Sequence, residues 1–117
     1  IFNKFLKLFK SMPHNNLSKV RIGVLGVAYK ANTDDIRESP SIKFLNLLQK
    51  KNFKKISYHD PFINKIPLKG ISKKNLKQLI NESDIIIKLV SHNLYIRINK
   101  IANFKNKDFL SIDNGFN

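Results

Sequence analysis

The sequence predicts an α/β fold: a Rossmann-like three-layer sandwich on a mainly parallel sheet of about four to five strands with crossover helices, preceded by one N-terminal helix. Two observations carry that expectation. Strand segments recur at 20–26, 55–59, 85–90 and 109–112, apolar at 20–26 and nearly all β-branched or leucine at 85–90, and stretches of helical periodicity separate them at 40–51, 72–81 and 94–102. Strand–helix alternation of this kind gives parallel strands joined by right-handed crossovers, with helices on both faces.

The elements follow in order. Phe2, Phe5, Leu6 and Phe9 recur at helical spacing, with Lys4, Lys7 and Lys10 off that face. Such a helix can lie on a membrane or dock onto the domain; docking is the preferred reading, and Pro13-His14-Asn15-Asn16 then forms a linker. The expected division is a helix with its linker at 1–18 and one domain at 19–117. The first strand, 20–26, is apolar on both faces apart from Arg21 at its entrance, as a central parallel strand should be. After it comes a loop much longer than the usual connection of about two to six residues. It ends at Ser39-Pro40, which reads as an N-cap and a first helical position.

In the helix over 40–51, Ile42, Phe44, Leu45, Leu47 and Leu48 are expected inward, and Lys50 and Lys51 stand at its dipole-favoured end. Asn52 falls where a left-handed cap is common. The second strand, 55–59, is closed by an Asp60-Pro61 turn, and 61–71 is a loop. Ser72 is expected to cap a helix reaching about Asn81 and burying Leu76, Leu79 and Ile80. The third strand covers 85–90. A helix over 94–102 offers Leu94, Ile98 and Ile101 to the core, and 109–112 is the last strand.

A chain of 117 residues supports one domain with a modest core, and its 42% hydrophobic content argues for folding over disorder. It contains no cysteine, which excludes disulfides and thiol chemistry on this chain. The longest apolar runs fall far short of a membrane span, so none is expected. Opening on Ile rather than Met, the chain reads as part of something longer. A net charge of +14 invites a nucleic-acid reading. However, Lys, Asn and Ile are inflated together and the lysines are scattered. Arginine, the residue suited to bidentate contacts, occurs only at Arg21, Arg37 and Arg97. No nucleic-acid partner is expected.

The chemistry concentrates in the loop after the first strand. Asp34, Asp35, Arg37 and Glu38 lie within five positions there, at the carboxyl end of a parallel strand, where open α/β folds place ligands. Tyr29 and Lys30 leave the strand at that end. They are either an edge aromatic and a solvated lysine, or a pair able to meet a sugar or base and a phosphate. From the residues alone, Arg37 reads as an ion pair with Asp34, Asp35 or Glu38. Gly23 and Gly26 do not make the dinucleotide fingerprint, so their expected roles are close packing and a turn. His14, His59 and His92 lack metal-ligand spacing, and no metal is assigned. Asp60 lies too far from the glycines for a ribose-binding acid and reads as a turn residue.

These motifs carry a family resemblance. Gly26-Val27-Ala28-Tyr29-Lys30, Thr33-Asp34-Asp35-Ile36-Arg37-Glu38-Ser39-Pro40 and His59-Asp60-Pro61 resemble the C-terminal, UDP-sugar-binding domain of the UDP-glucose/GDP-mannose dehydrogenase family. The likeness runs from about Lys19 to the end. With Tyr58 included, it is most similar to the branch acting on UDP-N-acetylglucosamine. The resemblance implies a cytoplasmic, NAD-dependent, homo-oligomeric enzyme that oxidises a sugar C6 alcohol to the carboxylate for surface polysaccharide synthesis. It also implies that the catalytic cysteine, the N-terminal NAD-binding domain and a central helical domain lie outside this chain. No catalytic residue is then expected here, and the chain alone is expected to be inactive. Tyr29 and Lys30 would contact the sugar nucleotide, and Arg37 would reach the NAD on the other domain, steadied by the neighbouring acids. His92 matches a family histidine, or caps a loop. One departure stands out: the family's Asp-x-Arg after the last strand is replaced by Asp113-Asn114-Gly115-Phe116-Asn117.

Two other classes compete. A basic nucleic-acid-binding module would bind weakly and with strong salt dependence. A stand-alone flavodoxin-like regulatory domain, such as a receiver, needs acids at the end of the first strand, and none occurs before Asp34.

Overall fold

The computed structural model describes residues 2–13, 15–96 and 107–111. Expectations that fall on His14, Arg97, Ile98, Ile101, Ile112 and the stretch 113–117 lie outside the described residues. Helix α1 (Phe2–Ser11) precedes β1 (Arg21–Leu25), α2 (Pro40–Lys50), β2 (Lys55–His59), β3 (Ser72–Lys73), α3 (Leu76–Glu82), β4 (Ile85–Lys88), a short 3-10 turn (Asn93–Tyr95) and β5 (Asp108–Ser111). The strands form one five-stranded sheet in the order β3-β2-β1-β4-β5, and every pairing is parallel.

Alternation along the strands divides the core. Ile22 and Val24 of β1, Ile56 and Tyr58 of β2, and Ile85 and Ile87 of β4 face α1 and α2 in one cluster. Leu25 and Ile86 point the other way, onto Leu79, Ile80 and Tyr95. The result is the expected three-layer sandwich. Gly23 belongs to the second face, where a Cβ would lie 2.6 Å from Leu79 Cδ2; its absence lets α3 sit close to the sheet.

Of the two readings of α1, docking is the one realised. Phe5 and Phe9 are buried, Phe5 meets Phe44 and Phe53 edge-on at 5.7 and 5.3 Å, and Phe9 meets Phe53 at 5.0 Å. Arg21 opens β1 with a two-pronged ion pair to Asp84, Nη2 to Oδ1 at 2.8 Å and Nε to Oδ2 at 3.2 Å. The guanidinium's hydrogen bonds hold the Asp84 carboxyl below its ordinary pKa. Helix α2 begins as expected, with Ser39 as N-cap and Pro40 in its first turn. It ends in a Schellman motif: Asn52 adopts φ 70°, Asn52 N–H donates to Gln49 O, and Phe53 N–H donates to Leu48 O.

Three expectations need correction. Leu47 and Leu94 are exposed, and the inward positions go instead to Ser41 and Tyr95. In α2, Ser41, Phe44, Leu45 and Leu48 share the buried arc, which leaves Leu47 at its margin. Ser72 does not cap α3; with Lys73 it forms the exposed edge strand β3, and Asn75 caps the helix by accepting from Gln78 N–H at 2.8 Å.

Candidate functional site

The strand order creates a switch point. From β1 the chain builds outward through β2 and β3, then returns to place β4 and β5 on the other side of β1. The crevice of such a sheet opens at the carboxyl ends of the two strands flanking the reversal. Here those are β1 and β4, and the segments leaving them are the long loop 26–39 and the stretch 89–95. Gly26 starts the loop at φ 92°, with its missing Cβ facing Val90 at 2.6 Å, so the two segments leave the sheet in close contact.

Beneath the crevice sits Asp60, 1% exposed. Its Oδ2 accepts from Val27 N–H at 2.8 Å, Ala28 N–H at 3.1 Å and His92 Nε2 at 2.8 Å, while Oδ1 accepts from Phe62 N–H at 2.8 Å. The bond to Phe62 is the expected turn. The other three tie the ends of β1, β2 and β4 to one carboxylate. His92 is fully buried, and its Nδ1 accepts from Asn32 N–H at 2.8 Å. A backbone N–H can only donate, so Nδ1 carries the lone pair and Nε2 the proton that Asp60 receives. Asn32 returns the contact, its Oδ1 accepting from Asn93 N–H at 3.0 Å. The loop-capping reading of His92 is thus what the geometry displays.

Tyr95 and His59 line the same end of the sheet. The Tyr95 hydroxyl donates to His59 O at 2.9 Å and lies 2.8 Å from His59 Nδ1. Burial pushes the Tyr95 hydroxyl pKa far up, with the Asp60 charge adding to it, and burial pulls the His59 imidazole down. Neither Tyr95 nor Asp60 in this role was foreseen. Their partners are thirty or more positions away in sequence, so no local pattern announces them.

The three residues expected to bind ligands lie on the loop's outer side. Tyr29 is 52% exposed, its N–H donates to Asp35 O, and Lys30 beside it in the chain is exposed. Arg37 pairs with Asp35 through Nε to Oδ1 and Nη2 to Oδ2, both at 3.0 Å, and its backbone N–H also donates to Asp35 Oδ1 at 2.9 Å. Of the three acids open to it at the sequence level, Asp35 is the partner. The Arg37 bonds hold the Asp35 carboxyl down to about 2. Tyr29, Asp35, Arg37 and Glu38 line an open hollow of about 340 Å³. Larger hollows of about 880 and 360 Å³ lie elsewhere, lined by Leu17 and Lys54 and by Arg21, Ser72 and Ser83. Those residues flank the amino ends of the strands, away from the switch point. Among the described residues no helix is long and apolar enough to cross a membrane, and no cluster of three or more potential ligands could hold a metal ion.

A parallel sheet of this order, with its loops gathered at the reversal, defines the class of doubly wound, Rossmann-like α/β domains. The chain belongs to the UDP-glucose/GDP-mannose dehydrogenase family: the model of that family's UDP binding domain matches residues 23–114. It is 34% identical over 91 residues to a UDP-N-acetyl-D-mannosamine dehydrogenase from Campylobacter jejuni, covering 72% of this chain and 22% of that protein. A protein of the same name from Methanococcus vannielii is 35% identical over 86 residues, covering 74% and 19%. The chain thus spans about a fifth of the length of these relatives. The fold is shared with a UDP-glucose dehydrogenase from Pyrobaculum islandicum, with a TM-score of 0.75 at 21% identity over 94% of this chain and 25% of that one. The expected family is borne out; the two sequence relatives are named UDP-N-acetyl-D-mannosamine dehydrogenases and the solved structure a UDP-glucose dehydrogenase, whereas the motif alone suggested the UDP-N-acetylglucosamine branch.

Proposed function

We propose that this chain is the nucleotide-sugar-binding domain of an NAD-dependent dehydrogenase acting on a UDP-N-acetylhexosamine. The observation that carries the reading is the loop 26–39, which joins the family's motif to the switch point of the sheet and sets Tyr29 and Lys30 at its outer edge. Lys30 meets the diphosphate as a point charge, and the Tyr29 ring and hydroxyl pair with the sugar or uracil. Arg37 suits NAD. Its Nε and Nη2 are engaged by Asp35, the side chain remains 87% exposed, and a guanidinium has further N–H donors for a phosphate. When bound, NAD supplies the hydride acceptor for oxidation of the C6 alcohol to the carboxylate. This chain's part is to bind and orient. It has no cysteine, so the covalent step requires a thiol from another region and the isolated chain turns nothing over. The N-terminal NAD-binding domain and a central helical domain complete the enzyme. It works as a cytoplasmic homo-oligomer, and its product feeds surface polysaccharide synthesis. Residues 1–18 are the end of a linking helix and its linker.

Titration of the chain with UDP, followed by backbone NMR, tests the reading. Shifts confined to 26–39 and 91–93 and abolished by Lys30→Ala are expected. Shifts spread over the lysines, produced equally by any polyanion and erased by salt, would leave general electrostatics alone.

A further inference from the structure

We propose that Asp60 and His92 are positioning residues for the nucleotide-sugar site, a buried latch that sets the path of the loop on which Tyr29 and Lys30 stand. The inference rests on the reading of that site given above.

The latch grips both flanks of the pair. On the amino side, Asp60 Oδ2 holds Val27 N–H and Ala28 N–H; on the carboxyl side, His92 Nδ1 holds Asn32 N–H. Tyr29 and Lys30 lie between these points, and the bond between Asp60 and His92 links the two grips into one unit. Asn32 sits at φ 60°, a conformation that asparagine tolerates better than most residues, and its side chain fastens to Asn93 as well. Asp60 and His92 are almost wholly inaccessible, so they touch no ligand and act through the backbone they hold. A lysine and a tyrosine on a free loop of this length would lose much of their binding energy to ordering; a loop fastened at both flanks has already lost that freedom. The arrangement also joins the two strands of the switch point, so the tyrosine and lysine from β1 keep one register relative to the segment after β4.

The test compares UDP affinity and amide hydrogen exchange in the chain and its variants. His92→Leu removes the carboxyl-side grip on Asn32 and the link to Asp60, at similar volume. His92→Gln can still donate to Asp60 and accept from Asn32. Phe9→Leu destabilises the fold from α1, at the far end of the sheet. His92→Leu is expected to weaken UDP by roughly tenfold or more, the scale of lost preorganisation, and to speed exchange at Asn32, whose acceptor is lost, while Ile22 and Val24 stay protected. His92→Gln should recover most of the affinity, and Phe9→Leu should lose thermal stability without losing affinity. If His92→Leu binds UDP as well as the parent, or Phe9→Leu loses as much affinity, the latch has no positioning role. Lys30→Ala separates the two claims. If that change is silent, or the parent takes no UDP, the site itself is misassigned and the latch role falls with it; if Lys30→Ala abolishes binding and His92→Leu does not, the latch alone is refuted. Should His92→Leu not fold, His92→Asn, too short to span Asp60 and Asn32 together, takes its place with the same two outcomes.

Discussion

Ser39 and Val27 are joined across twelve positions by one buried hydrogen bond: the Ser39 hydroxyl donates to Val27 O at 2.7 Å. Ser39 Oγ in turn accepts from Ile42 N–H at 3.4 Å, so the N-cap of α2 also closes the long loop onto its own first turn. Val27 is therefore held twice, by Asp60 through its N–H and by Ser39 through its carbonyl.

Ser39→Ala removes the cap and leaves the Val27 carbonyl buried without its donor. A cap is worth about 1 kcal/mol, and an orphaned buried acceptor adds a further cost of about 1 kcal/mol or more. A loss of roughly 2 kcal/mol in denaturant unfolding is therefore expected. A loss below about 0.5 kcal/mol, the ordinary scatter of surface substitutions, would mean that the clasp contributes nothing.

Two glycines with positive φ separate conformational strain from close approach. Gly26 has φ 92° and would put a Cβ 2.6 Å from Val90 Cβ; Gly70 has φ 82°, but its nearest obstacle is Gln49 Nε2 at 3.4 Å. Gly70→Ala should cost about 1–2 kcal/mol, the backbone penalty alone. Gly26→Ala adds overpacking of about 1–3 kcal/mol and should cost roughly twice as much. Paired denaturant curves measure the difference, and equal losses would show that Val90 simply moves aside.

Much of this architecture was legible in the residues. The runs 20–26 and 85–90 are largely apolar on both faces because their strands are covered on both sides, and the Ser39-Pro40 signal marks the start of α2 through local chemistry. The edge strand β3 was not legible: it has two exposed residues, Ser72 and Lys73, and therefore no apolar pattern to read. Helical periodicity points Leu94 inward, but a 3-10 turn follows His92 and turns Tyr95 inward instead. At the site, the position of Tyr29 and Lys30 followed from where a strand must end. The choice of Asp35 by Arg37 is also local, since the backbone N–H of Arg37 bonds the same carboxylate two residues back. The Asp60–His92 latch is different. It is assembled from three strand ends, and an Asp-Pro pair reads as a turn whether or not a histidine 32 positions away is brought onto it.

The Arg37–Asp35 pair yields the last prediction, in which pH and cofactor affinity part a structural role from a binding one. The Arg37 side-chain and backbone bonds depress the Asp35 carboxyl to about 2, below the ordinary value near about 3.9. A carboxylate lowered on folding has its favourable contribution in full above the ordinary pKa and loses it as pH falls through the folded one. The pair should therefore stay closed from neutrality to about pH 3 and open towards pH 2, with a midpoint read from the Asp35 carboxyl carbon by NMR. In Arg37→Gln that midpoint should rise towards the ordinary carboxylate range and stop short of it, because the backbone N–H of residue 37 still bonds the carboxylate. Both groups face solvent, so global stability should barely follow. In an enzyme that carries the NAD-binding region, Arg37→Ala should weaken NAD much more than the UDP-sugar, because a guanidinium–phosphate contact is charge-assisted and Asp35 merely holds it in place. Equal loss of both ligands with lowered thermal stability would assign Arg37 to the loop's own architecture and remove it from the cofactor site.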